Sequence, residues 1–299
     1  MLEHGLMTNV VWTYMESPKN RKDLPVMELC LETIKRNTGS CDLRVVTPDN
    51  VRDYLPKLRT DIDEKLRIPG RADVIRVQLL KEYGGLWLDA DIILFKEPTP
   101  FLDKLKDYDF VVMGQINPDN WLLAAKKGEY IIEKWAERQN QLLDAHGRGF
   151  FNRGYFALGR DIMRPLMQGR SYFAFPPHCA GGDSLGNEIL SKYLFRREVP
   201  EKACLDKRII MHLRHPAPGF PGTFRVKSKE EILEGGTMVG NMFRHALGMK
   251  EIKLKSRGLG DTVAKVTKAV GIKQCGGCGG RQEILNRLVP YKNGSIKAA

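Results

Sequence analysis

Apolar and polar positions change period abruptly between Gly70 and Phe95. Up to Tyr83 the apolar residues Val74, Val77, Leu79 and Leu80 recur with the spacing of one helix side, which predicts a helix docked on a sheet. Gly84 and Gly85 follow, a pair suited to a helix C-cap and a tight reversal because glycine accepts positive φ without a Cβ clash. Leu86, Trp87 and Leu88 then form an uninterrupted apolar run, as expected of a strand buried on both faces. The strand is expected to end in Asp89 and Asp91. In an extended chain these share one face while Ala90 points to the other.

Three further segments have readable patterns. Glu129 to Asp144 predicts an amphipathic helix with Ile131, Ile132, Trp135, Leu142 and Leu143 inward. Lys207 to His215 carries an apolar run that closes with His212 and His215, before a loop in which Pro216, Pro218 and Pro221 forbid regular structure. In the segment GGDSLGNEIL, Asp183 is placed to cap a helix from Ser184 onward, beside Asn187 and Glu188.

The chemistry follows from the two carboxylates. Paired acids at the end of an apolar strand are costly to desolvate unless a cation sits between them. A hard divalent ion with oxygen ligands, Mg2+ or Mn2+, is the natural candidate, since such ions keep positions for phosphate oxygens. Asp73 and Arg76, three residues apart, lie on one helix face and can be held as a pair. Ligands of open α/β sheets collect beyond the carboxyl ends of the strands, so the pair and the two carboxylates converge on one crevice. In outline this is a nucleotide-sugar site. Taken singly, Asp-x-Asp also fits a solvated turn, and Asp73–Arg76 a surface ion pair worth about 0.3–0.5 kcal/mol; their joint order with Gly-Gly and the apolar strand is what carries the reading.

Composition changes the picture mainly at the C-terminus. The 299 residues suffice for one large domain plus an appendage, read as 1–249 and 250–299. Of the net charge of +12, residues 251–299 contribute 10 Lys/Arg against 3 Asp/Glu. This basic tail reads as a short helix begun by Asp261, with Val263, Val266 and Val270 inward, then CGGCGG, then a second short helix over Arg281 to Leu288. Cys275 and Cys278 have metal-ligand spacing, but one Cys-x-x-Cys is half a zinc site, to be completed by Cys179, Cys204 or a second tail. Such a tail is expected to act as a tether or accessory module, with nonspecific contact to an anionic polymer or membrane surface. No apolar run reaches membrane-span length and no signal pattern opens the chain. With six cysteines and no secretory signal, a cytoplasmic setting with reduced thiols is expected, peripheral to a membrane or assembly.

The chain resembles glycosyltransferases whose sugar-binding region contains a DXD motif, and the related capsular polysaccharide synthesis proteins. The large glucosylating toxins carry a similar core. The residues that carry the resemblance are Ala72-Asp73, Arg76, Leu79-Leu80, Tyr83-Gly84-Gly85, Trp87 and Asp89-Ala90-Asp91. The opening VVWTYME, the segment PVMELCLETIKRN and a strand LRVVT are also similar to the capsular family. The resemblance implies an α/β fold of the GT-A type, a mostly parallel sheet flanked by helices, with a nucleotide diphosphate sugar in its crevice. By position it implies that Asp91 holds the metal on the diphosphate. Asp89 contacts ribose or sugar hydroxyls and assists the metal through water. Asp73 meets the sugar hydroxyls, and Arg76 the donor near its phosphates. Trp12 and Thr13, expected just after a strand over Asn9 to Val11, match the place where the family packs the base; an ordinary core aromatic is the alternative for Trp12. His212 is the implied third metal ligand. FFNRGYFALGR is similar to a family segment entering a strand beside the donor, making Asn152 a hydroxyl ligand, and Asp183 lies where relatives place an acid or amide against the sugar.

The expected activity is metal-dependent transfer of a sugar from a UDP- or GDP-linked donor to a hydroxyl on a polysaccharide, glycoconjugate or other acceptor, with retention implied by the resemblance. Two alternatives stand beside it. A phosphotransferase of the haloacid dehalogenase type also uses a strand-end Asp-x-Asp, but favours Thr or Val where Ile93 stands. A non-catalytic sugar-nucleotide or polymer-binding module recruited through its tail is the other.

Overall fold

The structure is a computed structural model that describes residues 9–16, 24–115, 117–151, 154, 156–175, 210–212, 228–234 and 238–250. It also describes 252 and isolated positions of the C-terminal segment between 263 and 288. The described strands are β1 (Val10–Tyr14), β2 (Asp42–Val46), β3 (Gly85–Leu88), β4 (Ile92–Leu94), β5 (Phe110–Met113), β6 (Asp119–Ala125), β7 (Phe173–Phe175) and β8 (Ile210–His212). The longer helices are α1 (Leu24–Asn37), α2 (Ile68–Tyr83), α3 (Tyr130–Ala145), α4 (Arg160–Met167) and α5 (Met238–Ala246).

Six strands form one sheet in the order β2-β1-β3-β6-β5-β7. β1 is parallel to both β2 and β3, and β5 is parallel to β7, while β6 runs antiparallel between β3 and β5. The result is an α/β sheet of mixed strand direction in which parallel neighbours outnumber antiparallel ones. A separate two-stranded sheet pairs β4 with β8.

The apolar run at Leu86–Leu88 is central and buried on both faces. On one side Trp87 packs with Trp12, Val77, Leu80 and Leu123; on the other, Leu86 and Leu88 join Val11, Phe101 and Val111. Helix α3 presents the expected residues to the first of these cores. Ile131, Ile132, Trp135 and Leu143 are fully buried and Leu142 packs against them, and the Glu129 carboxylate caps the helix by accepting from Ile132 N at 2.9 Å.

Gly84 and Gly85 meet the demands placed on them, with φ of 70° and 100°. A Cβ on Gly84 would stand 2.7 Å from Lys127 N, and one on Gly85 2.6 Å from Val10 O. Any side chain here would force β3 away from β1 or from the turn after β6.

Three expectations need correction. β1 extends to Tyr14, so Trp12 and Thr13 lie inside the strand rather than after it; parallel pairing with β2 continues through all five residues. The Asp89-Ala90-Asp91 segment is a turn rather than a strand end, because the chain leaves the large sheet after Leu88 and enters the small one at Ile92. Finally, the segment ending in Arg160 leads through a turn into helix α4, where a strand was expected.

The chain divides into two compact units, Met1–Glu251 and Ile252–Ala299. In the second, Val263 and Val266 are exposed, Val266 by 58%, which corrects the inward placement expected of them. Positions 281, 282, 284, 285 and 288 are helical, in the region where the second tail helix was expected. Cys275, Cys278, Cys179 and Cys204 lie outside the described residues, as do Asn152, Asp183, Asn187, Glu188 and Val270. No described helix is long and apolar enough to cross a membrane.

Candidate active site

Asp73, Arg76, Val77 and Leu80 follow i, i+3, i+4 and i+7 spacing, so the polar pair lies on the same stripe of α2 that docks on the sheet. Burial of the pair is therefore imposed by the helix itself. Asp73 is 7% exposed and Arg76 3%. Arg76 Nη1 donates to Asp73 Oδ1 at 2.7 Å, and Nη2 donates to Asp89 Oδ1 at 2.5 Å. The cation between two acids is thus Arg76, joining Asp73 to Asp89 rather than Asp89 to Asp91. Its guanidinium lies 5.0 Å from the Trp87 ring centroid, and its Nε is buried with no protein acceptor.

Asp89 is oriented from three directions. Besides Arg76, Trp87 Nε1 donates to its Oδ1 at 2.7 Å, and its backbone N donates to Trp121 O at 2.9 Å, continuing the β3–β6 ladder one residue past the strand. The charge of Asp91 is felt on α1. The buried Cys30 thiol is pushed up first by desolvation and then by the charge of Asp91. The β4–β8 register sets His212 opposite Ile92, one residue from Asp91. Register alone therefore brings this distant residue to the Asp-Ala-Asp turn across an intervening chain of more than a hundred residues.

Trp12 has a packing role. It is 3% exposed, its Nε1 donates to Gly84 O at 3.0 Å, and its ring contacts Tyr54 and Tyr83 at centroid distances of 5.4 and 5.3 Å. Thr13 is fully buried, with its Oγ1 lacking a hydrogen-bond partner. The open space near this strand is a cleft beyond the ends of β1 and β2, lined by Tyr14, Glu16, Pro48, Val51, Arg52 and Ile75. The Tyr14 hydroxyl donates to Glu16, which Arg71 also grips.

Residues 21–150 match the family model for capsular polysaccharide synthesis proteins. That interval contains Asp73, Arg76, Asp89 and Asp91, so the capsular-family resemblance and the buried charge array fall on the same segment. Over 100 residues the chain is also 29% identical to Cytotoxin-L of Paraclostridium sordellii; the aligned stretch is 32% of this chain and 4% of the toxin, a small part of that relative's length. Among solved structures it is similar to the PaToxG glycosyltransferase, with 15% identity, a TM-score of 0.36, and coverage of 95% of this chain and 87% of that one. It is similar too to the apo form of the glycosyltransferase GlyE of Streptococcus pneumoniae TIGR4, with 12% identity, a TM-score of 0.45, and coverage of 89% and 64%.

Several residues packed around Asp73 were not singled out from sequence. Asn120, at the start of β6, donates from Nδ2 to Asp73 Oδ1 at 2.8 Å. Gln139 on α3 donates from Nε2 to Asp73 O at 3.0 Å and to Leu158 O at 2.7 Å, and Trp135 Nε1 also donates to Leu158 O at 2.8 Å. Two donors thus clamp the carbonyl next to Gly159, and Gly159 is pressed on the site. A Cβ there would stand 2.5 Å from Asn120 Nδ2 and 3.0 Å from Asp73 Oδ2. The only sequence signal was a polar residue, Gln139, on the otherwise apolar face of an amphipathic helix. Replacing Gly159 by alanine is expected to displace Asn120 and Asp73 and to lower any activity that depends on their placement about 10- to 100-fold. Steady-state kinetics beside a melting curve would separate this from simple unfolding.

Burial pushes the Asp73 carboxyl up to about 6; Arg76 and Asn120 oppose that rise, and the charge of Asp89 adds to it. The sign of the consequence is fixed. A carboxyl that holds its proton more tightly when folded favours folding at low pH, below its unfolded value near 4, and loses that contribution as pH rises through about 6. The stability of the protein minus that of its Asp73→Asn variant is expected to fall between these limits and then level. Urea denaturation of both across that range checks it, and a difference that is flat or rises with pH contradicts it.

Proposed function

We propose that this chain is a glycosyltransferase that moves a sugar from a nucleotide diphosphate donor to a hydroxyl acceptor with the help of a divalent cation. The observation that carries the reading is the buried Asp73–Arg76–Asp89 array, set directly before Asp91 in the segment matching the capsular family. The donor is UDP- or GDP-linked, and the base takes the cleft at the ends of β1 and β2. The acceptor is a polysaccharide, glycoconjugate or other hydroxyl compound, and transfer proceeds with retention. The setting is cytoplasmic, with peripheral contact to anionic surfaces through the basic tail.

Among the described residues no trio of His, Cys, Asp and Glu side chains forms a metal cage. Mg2+ and Mn2+ take one or two carboxylates and complete their shell with phosphate oxygens and water. Asp91 and Asp89, with the imidazole of His212, are the residues that would hold the ion. When bound it offsets the charge that builds on the leaving diphosphate. Arg76 supplies a fixed positive charge beside the same group, held in place by two carboxylates so that it costs no reorganisation as the bond breaks. Asp73, fixed by Arg76, Asn120 and the clamped turn at Gly159, accepts hydrogen bonds from hydroxyls of the donor sugar.

The test is a panel of nucleotide sugars incubated with the protein and Mn2+. Slow, Mn2+-dependent release of a nucleoside diphosphate from one donor supports the reading. Phosphate release from a generic aryl phosphate, with no donor cleaved, would favour a phosphotransferase instead.

A further inference from the structure

Helix α4 carries two positive charges that the sugar-transfer reading does not use. Arg160 and Arg164 are one turn apart, so they share a face of the helix. Arg164 donates from Nε to Pro118 O at 2.9 Å, which ties it to the segment that leads into Asn120. Arg160 follows Gly159 directly, the residue pressed against the Asp73 carboxylate. Its guanidinium is stacked on the Phe156 ring at 3.4 Å, and its Nε is buried with no protein acceptor. Both arginines are half-buried. Among the described residues neither forms an ion pair; the nearby carboxylates, Asp119 and Asp161, act on Arg164 only at longer range. Desolvation, then the charge of Arg160, moves the Arg164 guanidinium down from its ordinary value.

Two like charges held one turn apart and partly desolvated are unfavourable unless a ligand compensates them. Planar guanidinium groups suit tetrahedral phosphate or planar carboxylate oxygens, which accept two parallel hydrogen bonds. Stacking on Phe156 orients one of them before any ligand arrives.

We propose that Arg160 and Arg164 form an anion subsite beside the Gly159 turn that faces Asp73, and that it takes a phosphate or carboxylate group of a substrate. The group comes either from the donor diphosphate or from an acidic acceptor. Assigning it to a substrate rests on the sugar-transfer reading, but binding of an anion there does not.

Inorganic phosphate is the probe. Melting of the full chain is followed as phosphate is added at constant ionic strength, for the unsubstituted protein, Arg160→Gln/Arg164→Gln and Arg160→Lys/Arg164→Lys. Phosphate is expected to raise the melting temperature of the unsubstituted protein, since a ligand of the folded state stabilises it by mass action. The apparent affinity is expected to drop at least fivefold in the glutamine variant and to be partly retained in the lysine variant, which keeps charge without the bidentate geometry. Equal phosphate affinity in all three proteins, or none in the unsubstituted one, overturns the subsite. If the glutamine variant fails to fold, the comparison of arginine with lysine decides: an unchanged affinity rejects the site. Repeating the titration with Mn2+ and saturating UDP or GDP separates the sources. Competition identifies the donor diphosphate, and additive binding identifies the acceptor. Were neither nucleotide to bind, the sugar-transfer reading would fail while the phosphate result still stood.

Discussion

Replacing Arg76 by methionine is expected to destabilise the protein by about 3–5 kcal/mol, the cost of leaving buried carboxylates without their cation. Asp73 and Asp89 both accept from this guanidinium, and Asp73 has almost no access to water. Methionine fills most of the volume, so the loss reports charge rather than a cavity. Two features distinguish this from ordinary core damage. The deficit is expected to shrink as the pH is lowered, because protonation of Asp73 removes part of the uncompensated charge. The triple variant Arg76→Met/Asp73→Asn/Asp89→Asn is expected to regain most of the stability and none of the activity, since a neutral replacement of a buried ion group is often tolerated. Equilibrium denaturation of the three proteins at two pH values checks both. A loss under about 1 kcal/mol, independent of pH, would mean that the array is not a coupled unit.

Asp91→Asn is the opposite case. Asp91 lies in the turn between β3 and β4 and is only half-buried, so the fold is expected to change by no more than about 0.5 kcal/mol. Donor turnover is expected to fall about 100- to 1000-fold, the usual loss when a group that stabilises charge on a leaving group is removed. The asparagine keeps the shape and withdraws the charge. A variant that unfolds would show Asp91 to be structural, and one that retains turnover would remove it from the metal site.

Comparing sequence and structure shows which features a local pattern can carry. The α2 stripe, the Gly-Gly reversal and the buried β3 are set by residues within one short segment, and each formed where its period and its glycines predicted. The ion pair of Asp73 with Arg76 is likewise local. Its extension to Asp89 was not legible, because a helix and a strand end must first be packed before the guanidinium reaches across. The same holds for Asn120, Gln139 and Gly159. They come from β6, α3 and the turn before α4, and nothing local distinguishes an asparagine beside a strand from a turn former. The β1 boundary was misjudged for a related reason: Thr13 is a polar residue fully inside the core, and an alternating or apolar pattern gives no cue for it. His212 is an intermediate case. The apolar run that closes with it was legible, but only the β4–β8 register set it opposite Ile92.

The structure also changes how the two acids are understood. The sequence pattern puts Asp89 and Asp91 on one face beside a shared cation, and the resemblance assigns the metal chiefly to Asp91. In the fold they differ: Asp89 is fixed by Arg76 and Trp87, while Asp91 stands in the turn to β4, where its charge acts on Cys30 of α1. Asp89 is thus the group held by two side-chain donors, which in the proposed reading leaves the charge of Asp91 to serve a bound ion.

Calorimetric titration of UDP and GDP, with Mn2+ and with chelator, into the protein and into Asp91→Ala tests this most directly. The account predicts that one nucleotide binds only when Mn2+ is present, and that Asp91→Ala loses that binding by at least tenfold while melting normally. Equal affinity in chelator, or an unchanged affinity in Asp91→Ala, would contradict a cation bridging these carboxylates to a diphosphate.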